Sequence, residues 1–130
     1  LLLTNDGKFA NAMLRQKDRV PKTYLVKANG ALSEEQQRQF REGFVVEGHR
    51  TAPAKLRLVK AGANPWYEAV LHEGRQNQIR LMFRNLGRLV EKLRRTKIAF
   101  LDLGPLKPGD FRLLTPPEVE RFHRLLRLKE

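Results

Sequence analysis

Glu73-Gly74-Arg75-Gln76-Asn77-Gln78-Ile79-Arg80 is the segment of this chain whose residue types could make a binding site. It falls where a strand pattern gives way to a helix pattern. Gly74 has no Cβ, so the backbone there can approach a ligand closely. A helix opening just after it would point free N–H groups outward, a ready site for an anion. Arg75 adds a charge at that point. The same residues could form an ordinary turn with a solvated Arg. The amides Asn77 and Gln78 favour the binding reading, because amides can read base edges or cap backbone groups. Arg80 lies between Ile79 and Leu81 and so borders an apolar stripe. A partly buried cation wants a partner. That partner is either a nearby Glu in a structural ion pair or a reactive carboxylate kept ionised by the cation's field.

The surrounding charge points the same way. The 130 residues carry a formal net charge of +12, from 26 Lys and Arg against 14 acids. Between Arg75 and Lys97 there are eight basic residues and one acid, Glu91. A uniform solubilising surface would not concentrate charge in this way. The pattern fits nucleic acid, and RNA first. With no Cys there can be no disulfide and no thiolate zinc site. His49, His72 and His123 are far apart, without an acidic cluster, so no metal is expected. No apolar run reaches the roughly 18 residues of a membrane span, and no signal peptide is visible. The cytoplasm is the expected compartment. Asp6, Asp18, Asp102 and Asp110 sit in turn-like contexts and read as caps.

The elements that must position these groups follow from periodicity. Leu1-Leu2-Leu3 reads as the end of a buried strand cut mid-element, so the chain is expected to be a piece of a longer protein. A short helix from Gly7 to about Gln16 should bury Phe9, Ala10, Met13 and Leu14. Lys22 to Lys27 reads as a strand with Tyr24 and Val26 on one face and Leu25 on the other. Tyr24 can pack in a core or stack on an unpaired base, a contact worth roughly 1–3 kcal/mol. Ser33 and Gln36 form a capping box for a mostly polar helix, expected to lie outside the core, that Gly43 ends. Residues 44–46 read as a short strand and 47–54 as a loop. Residues 55–60 and 66–72 should pair as a hairpin. A helix from about Gln76 to Leu86 carries the stripe Ile79, Met82, Phe83 and Leu86, with Arg80 and Arg84 beside it. Residues 88–100 read as one or two cationic strands and 101–111 as a loop. Thr115, Pro116 and Glu118 start a last helix. Strands and helices without strict alternation predict α+β, a mainly antiparallel mixed sheet with helices packed on one side. One domain fits this length, which is enough for a single core.

Four segments together resemble RNA pseudouridine synthases of the ribosomal RNA type, the family named for RsuA. Glu73 to Arg80 resembles its third motif, and Lys22-Thr23-Tyr24 its second. Leu1-Leu2-Leu3-Thr4-Asn5-Asp6-Gly7 is similar to the tail of the first. Pro108-Gly109-Asp110-Phe111-Arg112-Leu113-Leu114-Thr115 is similar to the C-terminal stretch. The resemblance implies isomerisation of uridine to pseudouridine in ribosomal RNA, without metal or cofactor, by a monomer. It also implies roles. Tyr24 stacks on the base, Arg80 pairs with the nucleophilic carboxylate, and Leu93 falls near an apolar position that lines the uracil pocket. Arg75, Arg94 and Arg95 contact RNA, with Lys22, Gly74, Asn77, Gln78 and Arg84 around them. Leu81 departs from the family, which often has a second cation there. The nucleophilic Asp of the first motif and the S4-type RNA-binding module are absent from residues 1–130. These residues are therefore expected to be the C-terminal majority of a catalytic domain, inactive by themselves. The alternative is a basic RNA-binding domain that docks on ribosomal RNA and does no chemistry.

Overall fold

The structure is a computed structural model that describes residues 1–73, 75 and 77–127. The chain forms two compact units, residues 18–103 and residues 1–17 with the chain from Gly104 on.

The larger unit is built on a five-stranded antiparallel sheet. Its strands are β1 (Lys22–Ala28), β4 (Lys55–Lys60), β5 (Trp66–Leu71), β6 (Val90–Ile98) and β7 (Leu101–Asp102). Their order is β4-β5-β1-β6-β7. A separate two-stranded ribbon pairs β2 (Val45–Val46) with β3 (His49–Arg50). Helices α2 (Glu34–Glu42) and α3 (Gln78–Asn85) supply Phe40, Ile79, Met82 and Phe83 to one core, which the sheet meets with Val26, Leu56, Tyr67 and Ala69. The ring of Phe83 meets Phe40 edge-on at 5.6 Å and Tyr67 at 6.0 Å. Edge-to-face pairs of this kind add stabilisation beyond the area they bury. The Tyr67 hydroxyl is buried and accepts a hydrogen bond from the Leu32 amide at 2.9 Å. The expected α+β class, the antiparallel sheet and the β4–β5 hairpin are all present.

Several expectations need correction. Residues 47–54, read as a loop, contain β3, and residues 101–111 begin with β7. Unlike Val45–Val46, these two-residue strands have no β-branched run of their own and are defined by their partners. Helix α2 is polar overall, yet its Phe40 is fully buried. One aromatic on a polar helix is enough to dock it. Leu1 and Leu3 are exposed and lie outside any strand.

Thr51 closes the end of α2 against the ribbon. Its hydroxyl accepts from the Phe44 amide at 3.0 Å, and its own amide donates to the Phe44 carbonyl at 2.9 Å. Gly43 makes this approach possible. Its φ is +94°, and an added Cβ would sit 2.3 Å from the Thr51 carbonyl oxygen. Gly43→Ala should therefore lower stability by about 1–3 kcal/mol, the usual cost of a strained backbone position, with the clash added. Urea denaturation of the variant against the parent checks it.

In the smaller unit, helix α1 (Gly7–Arg15) is capped by Asp6, whose carboxylate accepts from the Lys8 and Phe9 amides. Helix α4 (Pro116–Leu125) starts with the expected Thr115–Glu118 capping box. Phe9 and Phe122 meet edge-on at 5.7 Å. The buried positions of α1 are Phe9 and Ala12, whereas Leu14 is 73% exposed, so the inward face is turned from the one expected. Arg112 hydrogen-bonds Glu118, and together with the Thr115 amide it holds that carboxyl down at about 2.

Candidate RNA interface and active-site residues

Strand β1 is the centre of the sheet and sets the position of Tyr24. In the ladders Tyr24 faces Ala69 of β5 and Arg95 of β6. Directly opposed residues in an antiparallel pair share a face. Tyr24 and Leu93 both pack at the margin of the core without being fully buried. Arg95 lies on that same face and is exposed. A register shift between Thr23 and Tyr24 takes Lys97 and then Arg95 as partners, so Thr96 is the extra residue. The Thr96 hydroxyl is tied to the Thr23 carbonyl at 3.3 Å. Arg94 is the cross-strand neighbour of Leu25 and points to the other face. The sequence reading grouped Arg94 with Arg95; the sheet separates them.

Helix α3 positions the other cations. Asn77 precedes it in a left-handed conformation, φ 58°, and its side chain makes no capping hydrogen bond. Arg75, Asn77, Arg80 and Arg84 are exposed. The guanidinium of Arg80 donates from Nη1 to the Val90 carbonyl at 3.3 Å. Among the described residues no carboxylate lies within ion-pair distance of it, so the structural ion pair weighed for it is not present. Val90 faces Ala28 in the β1–β6 ladder, four residues along from Tyr24. At about 3.3 Å per residue this is roughly 13 Å along the strand. Arg80 and Tyr24 are thus carried by adjoining elements and are not in hydrogen-bonded contact. Lys22 opens β1 half-buried, opposite Leu71 and Ile98. Gly74, and the helix start expected at Gln76, lie outside the described residues.

Gln78 takes a different place from the one its chemistry suggested. It is 7% exposed, and its Nε2 donates to Glu73. Glu73 also receives Nε2 of His49 at 3.1 Å. Burial pushes the Glu73 carboxyl up, but hydrogen bonds from His49, Gln78 and the Ala52 amide outweigh this and hold it below the ordinary value. Glu73 therefore stays ionised and ties the β2–β3 ribbon to the start of α3. Beside this tie a cavity of about 180 Å³ is lined by Val46, Glu47, His49, Thr51, Arg75, Gln78 and Leu81. Sequence reasoning missed His49 and Glu73 as partners. They are 24 residues apart, and nothing in either segment signals the other. Among the described residues no group of three His, Asp or Glu is placed to hold a metal ion, and no helix is long and apolar enough to cross a membrane.

A sequence model of the RNA pseudouridylate synthase family matches residues 1–85, which carry Tyr24, Arg75 and Arg80. The chain belongs to this family. Its RsuA-type motifs lie in the order the pseudouridine synthase resemblance requires. Ribosomal large subunit pseudouridine synthase B of Bacillus subtilis is 43% identical over 128 residues, covering 96% of this chain and 52% of that protein. Ribosomal small subunit pseudouridine synthase A of Vibrio vulnificus is 32% identical, covering 92% of this chain and 52% of the relative. A crystal structure of a pseudouridylate synthase superposes with a TM-score of 0.80 at 31% identity, over 92% of this chain and 52% of that one. The chain spans about half the length of the curated pseudouridine synthases it matches. The expected fold of the synthase catalytic domain is the fold observed.

Proposed function

We propose that the full-length protein isomerises uridine to pseudouridine in ribosomal RNA. The observation that carries this reading is the family match running through residues 1–85, which takes in Tyr24, Arg75 and Arg80. Large-subunit RNA is the favoured substrate, because the 43% identical relative is a large-subunit synthase and the small-subunit relative is 32% identical. The target base leaves its stack and enters a pocket beside Tyr24, whose ring stacks on it. A carboxylate from the first motif attacks, and the bond from ribose to the uracil nitrogen breaks. The uracil turns and rejoins through C5 as the carboxylate is released; the C5 proton passes to solvent and N1 takes up a proton in its place. Product and substrate are isomers, so the step consumes no cofactor. Arg80 holds the carboxylate ionised. Leu93 lines the pocket, and Arg75, Arg84 and Arg95 take phosphates. Gln78 and Glu73 brace the loop that carries Arg75. The protein acts as a monomer in the cytoplasm, where ribosomal RNA is made.

Among the described residues no carboxylate lies within ion-pair distance of Arg80, so residues 1–130 alone should not catalyse the step. Ribosomal RNA transcribed with uridine tritiated at C5 tests the reading. The full-length protein should release tritium to water and residues 1–130 should release none. Tight RNA binding by the full-length protein with no release would favour a docking domain without chemistry.

A further inference from the structure

The face of the sheet turned away from the core is a second cationic surface. Two cross-strand rows define it. One runs Lys60, Trp66, Lys27, Lys92 across β4, β5, β1 and β6, and the next runs Arg57, Glu68, Leu25, Arg94. These rows hold five cations and one acid, and that acid is already bonded to Arg57 at 3.0 Å. Lys60, Lys92, Arg57 and Arg94 are exposed, and Lys27 and Trp66 are half-exposed. The Lys27 ammonium lies 6.0 Å from the centre of the Trp66 ring, which confirms that these neighbours share the face. Lys27 and Lys92 are directly opposed. Like charges in that position destabilise a sheet, and a bound anion would relieve their repulsion. The rows are about 7 Å apart and their strands about 4.8 Å apart. This is a lattice of positive charge with Trp66 and Leu25 between the cations. A partly exposed aromatic among cations suits a nucleic-acid strand, whose bases and phosphates meet the two in turn.

We propose that this outward face docks the phosphate backbone of the ribosomal RNA at a point remote in the RNA from the target uridine. The inference rests on the RNA substrate proposed above. Tyr24 and Arg95 occupy the opposite face of the same sheet, so one short stem-loop cannot engage both with the same nucleotides. The protein should therefore discriminate in favour of long, folded RNA.

The test uses the full-length protein, a large-subunit ribosomal RNA transcript and a short stem-loop carrying the target uridine. In K27Q/K60Q/K92Q the affinity for the long transcript at about 100 mM salt should fall roughly tenfold or more, and the slope of log K against log salt should become shallower by about 2. Turnover of the short stem-loop should stay at the parent value. The charge-retaining variant K27R/K60R/K92R should keep the long-transcript affinity, which separates a charge effect from a folding defect. Unchanged affinity and slope in the Gln variant would overturn the proposal. So would equal losses in the Gln and Arg variants. A surface that served an acidic protein instead would show the unchanged RNA result. If the parent protein releases no tritium from uridine, the enzyme reading fails; if it does and the Gln variant binds like the parent, only the docking surface fails.

Discussion

Arg80→Ala in the full-length protein should slow the proposed isomerisation, in single turnover, by about 10²–10³-fold, the size seen when one preorganised electrostatic contact to a reacting group is lost. RNA affinity stays near that of the parent. The reason lies in the setting of Arg80. Its guanidinium is exposed, donates to the Val90 carbonyl, and has no carboxylate partner among the described residues. A cation in that state remains available to a nucleophilic acid. Without it the acid's pKa rises toward its ordinary value, and burial behind a bound base raises it further. Arg80→Lys keeps the charge but loses the planar fork, so it should recover part of the rate. Tyr24→Ala should also impair the chemical step, through loss of stacking worth roughly 1–3 kcal/mol. Quench-flow measurement with saturating protein separates the chemical step from binding. A loss of affinity as large as the loss of rate would place Arg80 among the phosphate contacts.

Phe83→Ala costs about 3–5 kcal/mol, the usual range for removing a buried aromatic ring. Phe83 is fully buried and is the ring that Phe40 of α2 and Tyr67 of β5 both meet. Its removal opens a cavity between three elements that cannot all collapse into it. A domain's stability totals only about 5–15 kcal/mol. The midpoint of thermal unfolding should therefore fall by roughly 6–20 °C in a protein of about 150–250 residues. Circular dichroism melting of the full-length variant measures this. A fall of only a few degrees would mean that α2 and α3 can repack without the ring. Because Phe83 is on the helix that carries Arg80, the variant should lose activity through folding, and that loss should recover on cooling.

What the sequence disclosed and what it withheld follow a physical division. The capping boxes at Ser33 and Thr115 were legible because each is completed within three residues. The stripe Ile79, Met82, Phe83 and Leu86 was legible because burial has the period of the helix, and all four are buried. Tyr24 and Val26 were placed on one face by alternation alone. Other features depend on partners distant in the chain. The split of Arg94 from Arg95 requires the β1–β6 register and the extra residue at Thr96. The inward turn of Gln78 requires Glu73 to be braced by His49 from a ribbon formed by two-residue strands. Ala12 replaces Leu14 in the buried set of α1 because packing against Phe122 fixes which face turns inward.

Chromatography of the nucleosides from ribosomal RNA incubated with the full-length protein tests the central claim most directly. The account predicts that pseudouridine appears one for one with the uridine lost, and that Arg80→Ala yields almost none in the same time. RNA bound with its uridine intact by the parent protein would contradict it.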